Sequence, residues 1–273
     1  MSREAAERAI REGDIEAALR YLQEQIRKEP SHSELRVFLF QLLAVQGQWE
    51  RALTQLNVAA ELDPAALAMA QMYREAVRCE LLRAEVFTGK KVPLVFGEPE
   101  QWLALLIESL LKADAAPTQA QELRAQAFEA APASSGTLDG EPFEWIADAD
   151  MRLGPVCEAV MNGRYYWVPF SRLAAVTLDA PTDLRDVVWM PAHFQFANGG
   201  ESVGVIPTRY PGSERAGDAQ IALARKTVWR EEPPEVFTGL GQRVLTTDAG
   251  EHALMDVRAM TIAPAAAQET TGG

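Results

Sequence analysis

Histidine and cysteine are scarce in this chain, with three of the first and two of the second among 273 residues. Cys79 and Cys157 stand far apart, and no two of His32, His193 and His252 have metal-ligand spacing, so no metal centre is expected. So low a cysteine count favours two buried thiols in a reducing compartment over a disulfide. No apolar run approaches the roughly 18 residues of a membrane span. The opening MSREAAERAIREGD is charged and helix-forming where a signal peptide would be apolar. These absences point to a cytoplasmic protein. Basic residues are also in deficit, 26 Lys and Arg against 39 Asp and Glu, for a net charge of −13. Such a surface has no basic stripe for phosphates and is repelled by anionic lipid, so neither nucleic acid nor membrane is an expected partner.

Catalytic signatures are missing as well. No serine sits in a nucleophile elbow, and neither cysteine lies in a recognisable catalytic signature. Gly239-Leu240-Gly241 lacks the third glycine and the strand-then-helix setting of a dinucleotide loop, so it reads as a turn. Glu144, Asp148 and Asp150 in the run FEWIADAD read as the solvated face of a short helix or turn. The competing reading makes them, with His193, the acid–base groups of an enzyme. No catalytic residue, cofactor site or metal site is assigned.

What the chain does contain is a period. Gly13-Asp14 opens a segment ending at Pro30, and Gly47-Gln48 opens another ending at Pro64, 34 residues further on. Between these marks Ala18 matches Ala52, Leu19 matches Leu53, and Leu22 matches Leu56. This is the period of the tetratricopeptide repeat, a helix–turn–helix unit that stacks on its neighbours and holds other proteins. Helices are expected over 5–10, 15–28, 49–62 and from a Ser31 or Ser33 cap through LRVFLFQLLAVQ to Gly47. The register then drifts, and a third helix pair is expected from 68–87 and 100–111, separated by the insert TGKKVPLVFGEP.

After residue 141 the pattern becomes short β-type runs: 164–170, 173–179, 186–196, SVGVIPTRY, 221–231 and 242–262. Asn198-Gly199-Gly200 signals a hairpin with a primed turn, and a second hairpin is expected around 248–250. The expected fold is therefore α+β: tetratricopeptide-like α-helical repeats over 1–112 and a mainly antiparallel β-rich domain over 141–263. Residues 113–140 read as a linker in which 119–129 can be helical, and 264–273 as a flexible tail. Tyr165, Tyr166, Trp167, Phe170, Trp189, Phe194, Phe196 and Tyr210 crowd into fewer than 50 residues. They read first as the core of the β domain. The first seven are also the candidate partner-binding residues, because Trp and Tyr commonly anchor interfaces.

Several long blocks resemble the ImpE/TagJ family of accessory proteins of bacterial type VI secretion. They are GQWERALTQLNVAAELDP, MYREAVRCELLRAEVFTGKKVPLVFGEPEQWLALLIESLL, PFEWIADADMRLGPVCEAVMNGRYYWVPFSRL, DLRDVVWMPAHFQFANGGESVGVIPTRYPGSE and LGQRVLTTDAGEHALMDVR. Together they span about residues 13–262. The resemblance implies a non-enzymatic factor that binds the small subunit of the contractile sheath (TssB-like) and is linked to the ClpV unfoldase that recycles sheath. The family has no catalytic motif, so no active-site residue carries over. An amphipathic helix of the sheath subunit is the expected ligand. It would lie on the inner face of the repeats, around 35–46 and 68–83, or on the aromatic surface around 165–170 and 189–196, which is preferred. A general repeat-type adaptor is the alternative.

Overall fold

The computed structural model describes residues 2–232 and 235–264, so the tail expected over 264–273 lies almost wholly outside the described residues. Helices α1 (Ser2–Glu12) and α2 (Ile15–Lys28) form one antiparallel pair, and α3 (Ser33–Val45) and α4 (Trp49–Leu62) the next. The turns follow from local chemistry. Gly13 and Gly47 take left-handed backbone at φ 85° and 66°, which suits glycine at a helix end. Asp14 caps α2 by accepting from the Ala17 N–H at 2.8 Å. Ala18, Leu22, Ala52 and Leu56 are fully buried where the helices cross, as their repetition implies. The serine cap expected for α3 is not used: His32 occupies that position and makes no side-chain capping bond.

Beyond Pro64 the repeat pattern changes partner. Helix α5 (Leu67–Phe87) continues the stack against α4, while α6 (Gln101–Lys112), expected to pair with α5, packs chiefly on α7 (Pro117–Ala130). The insert between α5 and α6 leaves the helical layer and lays strand β1 (Leu94–Val95) parallel to a strand of the sheet. Helix α7 fills most of the segment read as a linker, and it buries Ala120, Arg124 and Ala127.

The remaining strands are β2 (Gly136–Leu138), β3 (Glu141–Phe143), β4 (Ile146–Asp148), β5 (Val156–Met161), β6 (Arg164–Pro169), β7 (Leu173–Leu178), β8 (Trp189–Phe196) and β9 (Glu201–Pro207). After the short helix α8 (Ala219–Ala222) come β10 (Thr227–Glu232), β11 (Val236–Gly241), β12 (Val244–Thr247), β13 (Gly250–Ala253) and β14 (Ala259–Ile262). The run 221–231 is therefore part helix and part strand. A nine-stranded sheet has the order β1-β6-β5-β9-β8-β7-β14-β2-β3, antiparallel except at β1–β6. Smaller sheets pair β10 with β11, and β12 with both β13 and β4. The expected hairpin around Gly250 is the β12–β13 turn. The β8–β9 hairpin forms, but only Gly199 has positive φ (84°), so a three-residue loop replaces the primed turn.

Strand alternation divides the interior. In β5 and β6, Val156, Val160, Tyr165 and Trp167 face the helices, while Cys157, Ala159, Met161 and Val168 face the second core beneath β12 and β4. The helix-facing core runs unbroken from Ala6 in α1 to Leu223 beyond α8. Repeats and sheet thus share one apolar interior, and this closes most of the concave side of the helical stack.

Gly239-Leu240-Gly241 lies inside β11 and is not the expected turn. A methyl group on Gly239 would overlap the Tyr210 ring, and the Gly239 N–H donates to Asp150 Oδ2 at 2.8 Å. Gly239→Ala is expected to destabilise the fold by about 1–3 kcal/mol through overpacking. Chemical denaturation measures it, and an unchanged midpoint would count against the tight Tyr210 contact.

Candidate functional site

The aromatic residues singled out in the sequence are placed inside the protein, not on a gripping surface. Tyr165, Trp167, Phe170, Trp189, Phe194 and Phe196 are buried, and Tyr166 is half-buried. Their alternating strand positions send them into the two cores. Trp189 stacks on Phe40 of α3 (6.4 Å between centroids, 12° between planes) and touches Trp49 and Tyr73, while its indole N–H donates to Glu80 at 3.2 Å. Phe196 stacks on Phe96 at 4.0 Å, and Phe96 meets Tyr166 edge-on. As an interface the six buried residues are corrected to core, while Tyr166 stays half-buried beside Phe96.

The carboxylates are also redistributed. Asp148 and Asp150 are buried, so the solvated-face reading of FEWIADAD is wrong for both; Glu144 is exposed. His193 stands elsewhere on β8, with Glu201 at 3.6 Å. The four residues of the enzyme reading do not share one cleft. Among the described residues no group of three His, Cys, Asp or Glu is placed to hold a metal. Both cysteines are free and buried, and burial pushes each thiol up to about 12.

The buried acids belong to a charge network that the sequence reading did not single out. Glu158 lies on the helix-facing side of β5 and is completely buried. Arg83 of α5 donates to it through Nε (2.6 Å) and Nη2 (2.9 Å), Tyr165 Oη at 2.5 Å, and Arg243 from the other side. Trp167 Nε1 donates to Tyr165 Oη at 2.7 Å. Arg243 also holds Asp148, which accepts from Tyr210 Oη at 3.0 Å. Arg83 donates to the Arg209 carbonyl at 2.8 Å, and Arg209 donates to the Val45 carbonyl of α3 at 2.8 Å. Two arms of the network, Arg83 on Glu158 and Arg209 on the Val45 carbonyl, tie the sheet to the repeats.

Ionisation follows from this packing. Burial pushes the Glu158 carboxyl up, but the guanidiniums of Arg83 and Arg243 outweigh it and hold it at about 2. Burial raises Asp148 to about 6, against the opposing pull of Arg243. A depressed carboxyl adds stability above its unfolded value of 4.5 that is lost as pH falls toward 2. A raised one acts oppositely, so Asp148 adds stability as pH falls from 6 toward 3.8. Stability is therefore expected to rise slightly from neutral pH toward about 5 and then fall below about 4.5. Asp148→Asn should flatten the first limb and Glu158→Gln the second in a pH series of urea midpoints. A monotonic fall from neutral pH would contradict the Asp148 assignment.

One part of the concave side stays open. A groove of about 720 Å³ runs between α1, α3 and the segment 181–187. From α1 it takes Arg3, Glu7, Ile10 and Arg11; from α3 it takes Glu34, Val37, Phe38 and Gln41. These spacings of three, four and seven put each set on one helix face. Arg3 closes one end by reaching Glu34 at 2.8 Å and Glu7 at 3.2 Å. The facing wall is braced: the Asp186 carboxylate accepts from the N–H groups of Thr182 (2.6 Å) and Asp183 (2.9 Å). Arg185 pairs with Asp183 and lies over the Tyr73 ring at 5.0 Å. The groove is a site made jointly by both halves of the chain.

Comparison with known proteins places this architecture. The ImpE protein family matches residues 140–261, and a tetratricopeptide repeat matches residues 9–74. The Type VI secretion system accessory component TagJ of Pseudomonas aeruginosa is 50% identical over 260 residues, which cover 95% of this chain and 91% of that protein. The chain belongs to the ImpE/TagJ family. A Vibrio parahaemolyticus protein of known crystal structure shares the fold with a TM-score of 0.85 at 27% identity, over 94% of this chain and 97% of that one. Within the ImpE/TagJ fold, then, the repeats and the ImpE region form one body, and the open groove lies at their seam.

Proposed function

We propose that this protein is a non-enzymatic accessory factor of a bacterial type VI secretion system. It acts in the cytoplasm by binding the small, TssB-like sheath subunit, and it thereby influences sheath recycling by the ClpV unfoldase. The observation that carries the reading is the 50% identity to TagJ across 95% of the chain. A single relationship of that extent covers the repeats, the ImpE region and the groove between them. The chemistry is compatible with a holding role. Repeat helices present side chains for protein contact, and the buried acids Asp148, Asp150 and Glu158 are tied up in ion pairs within the fold, with Asp186 held by backbone N–H groups. Among the described residues no helix is long and apolar enough to cross a membrane.

The test is capture of purified sheath and unfoldase components by the full-length chain. The small sheath subunit is expected to be retained, and the unfoldase only when that subunit is present. A folded chain that retains neither, or that retains unrelated proteins equally well, would favour a general repeat adaptor.

A further inference from the structure

We infer that this protein binds a small inorganic oxyanion of the phosphate type between Arg124 of α7 and Arg152 of the turn 150–154. The anion would brace α7 against the ImpE region, a role independent of the sheath-binding reading. Three observations carry this.

The first is an unanswered buried charge. Arg124 lies on the buried face of α7 between Ala120 and Ala127, and keeps only 4% of its surface exposed. Its Nε and Nη1 are buried and meet no hydrogen-bond acceptor among the described residues. The other deeply buried arginines are answered: Arg83 and Arg243 by carboxylates, Arg209 by main-chain carbonyls. A buried guanidinium with neither costs free energy until an acceptor meets it. Burial, and after it Arg152, pulls the Arg124 guanidinium below its ordinary range, whereas carboxylates hold Arg83 and Arg243 above theirs.

The second is that the nearby carboxylates are already engaged or face elsewhere. Asp150 Oδ1 accepts from the N–H and the Nε of Arg152, both at 2.9 Å. Its Oδ2 accepts from Arg152 Nη2 at 2.5 Å and from the Gly239 N–H at 2.8 Å. Two bonds to each oxygen fill the carboxylate's lone pairs. Glu232 of β10 acts electrostatically on both arginines, but it is exposed and accepts from Thr238 Oγ1 at 3.3 Å instead.

The third is that two cations are brought together. Phe128 of α7 packs so closely on Gly154 that a methyl group there would overlap its ring, which seats Arg124 beside the turn that carries Arg152. The Arg152 charge opposes that of Arg124. Water would supply an acceptor but leave this repulsion; an anion supplies both. The planar donor forks of two guanidiniums match an oxyanion in particular. Arg152 keeps 17% of its side chain exposed, so the site opens to solvent on that side. With Arg124 so deeply placed, a small free anion reaches it where a phosphate carried on a macromolecule would not.

Melting of the full-length protein, dialysed free of oxyanions and titrated with inorganic phosphate at constant ionic strength in chloride, tests this. The wild type should gain about 3–6 °C, saturably, at tenfold excess over the dissociation constant. Arg124→Met removes the unanswered charge and should melt no lower than wild type without phosphate. With phosphate it should show only the shallow, unsaturating drift of a kosmotropic salt. Calorimetric titration of the wild type reads the same site without a variant, and a single phosphate per chain is expected. An equal drift in both proteins, no saturable heat, or an equal shift from chloride alone overturns the inference. So does a Glu232→Gln variant that melts lower than an unresponsive wild type, because Glu232 would then occupy Arg124 itself.

Discussion

Glu158→Gln is expected to lower the unfolding free energy by about 3–5 kcal/mol, the usual cost of removing one member of a buried ion pair. Glu158 is the one carboxylate that faces both Arg83 and Arg243, and all three are buried. A neutral amide would leave the two guanidiniums next to each other without water. The loss comes mainly from stranding those charges, since a well-packed apolar replacement of the whole set can be close to neutral. Urea unfolding followed by tryptophan fluorescence reads it directly, because Trp167 and Trp189 both lie in the helix-facing core. A loss below about 1 kcal/mol would mean that the network is incidental to the joint between repeats and sheet.

Trp189→Ala has the next largest expected effect, about 3–5 kcal/mol for truncating a buried aromatic. The side chain belongs to β8, but its neighbours are Phe40, Trp49 and Tyr73 on three successive repeat helices. Its removal opens a cavity at the seam and leaves the Glu80 carboxyl without the indole donor. The melting temperature should drop on the order of 10 °C for a chain of this size. More tellingly, the single transition expected of the wild type should broaden or split as the two halves uncouple. An unaltered single transition with a small shift would contradict the idea that Trp189 joins them.

These two sites also show how far the sequence was legible. The helical pairs were readable because their punctuation is local: Gly13 and Gly47 end helices through their own backbone freedom, and Pro64 prevents continuation through its own ring. The β12–β13 hairpin was readable for the same reason. Strand β1 was not, because two residues inside an insert carry no period and pair only with a strand some seventy residues later. Asp148 and Asp150 looked solvated because Arg243, Tyr210 and the Gly239 N–H come from distant segments, although Asp150 also pairs with Arg152 two residues on. A signal for the network did exist. Glu158 interrupts the apolar run VCEAVM, and a carboxylate in such a run must find a cation if the strand is buried.

The groove was half legible. Arg3, Glu7, Ile10 and Arg11 share a face by spacing alone, as do Glu34, Val37, Phe38 and Gln41. Which part of the repeats' inner side stays open is decided by where Trp189 and Arg209 dock, and that is a long-range property. Composition drew attention to the aromatic cluster instead, and aromatic content alone does not separate a core from an interface.

Hydrogen–deuterium exchange on the full-length protein tests the account most directly. If the repeats and the sheet share one interior, amides of α3 and α5 should exchange as slowly as those of β5 and β8 and open with them as one unit. Repeat helices that lose protection well before β5 and β8 would contradict it.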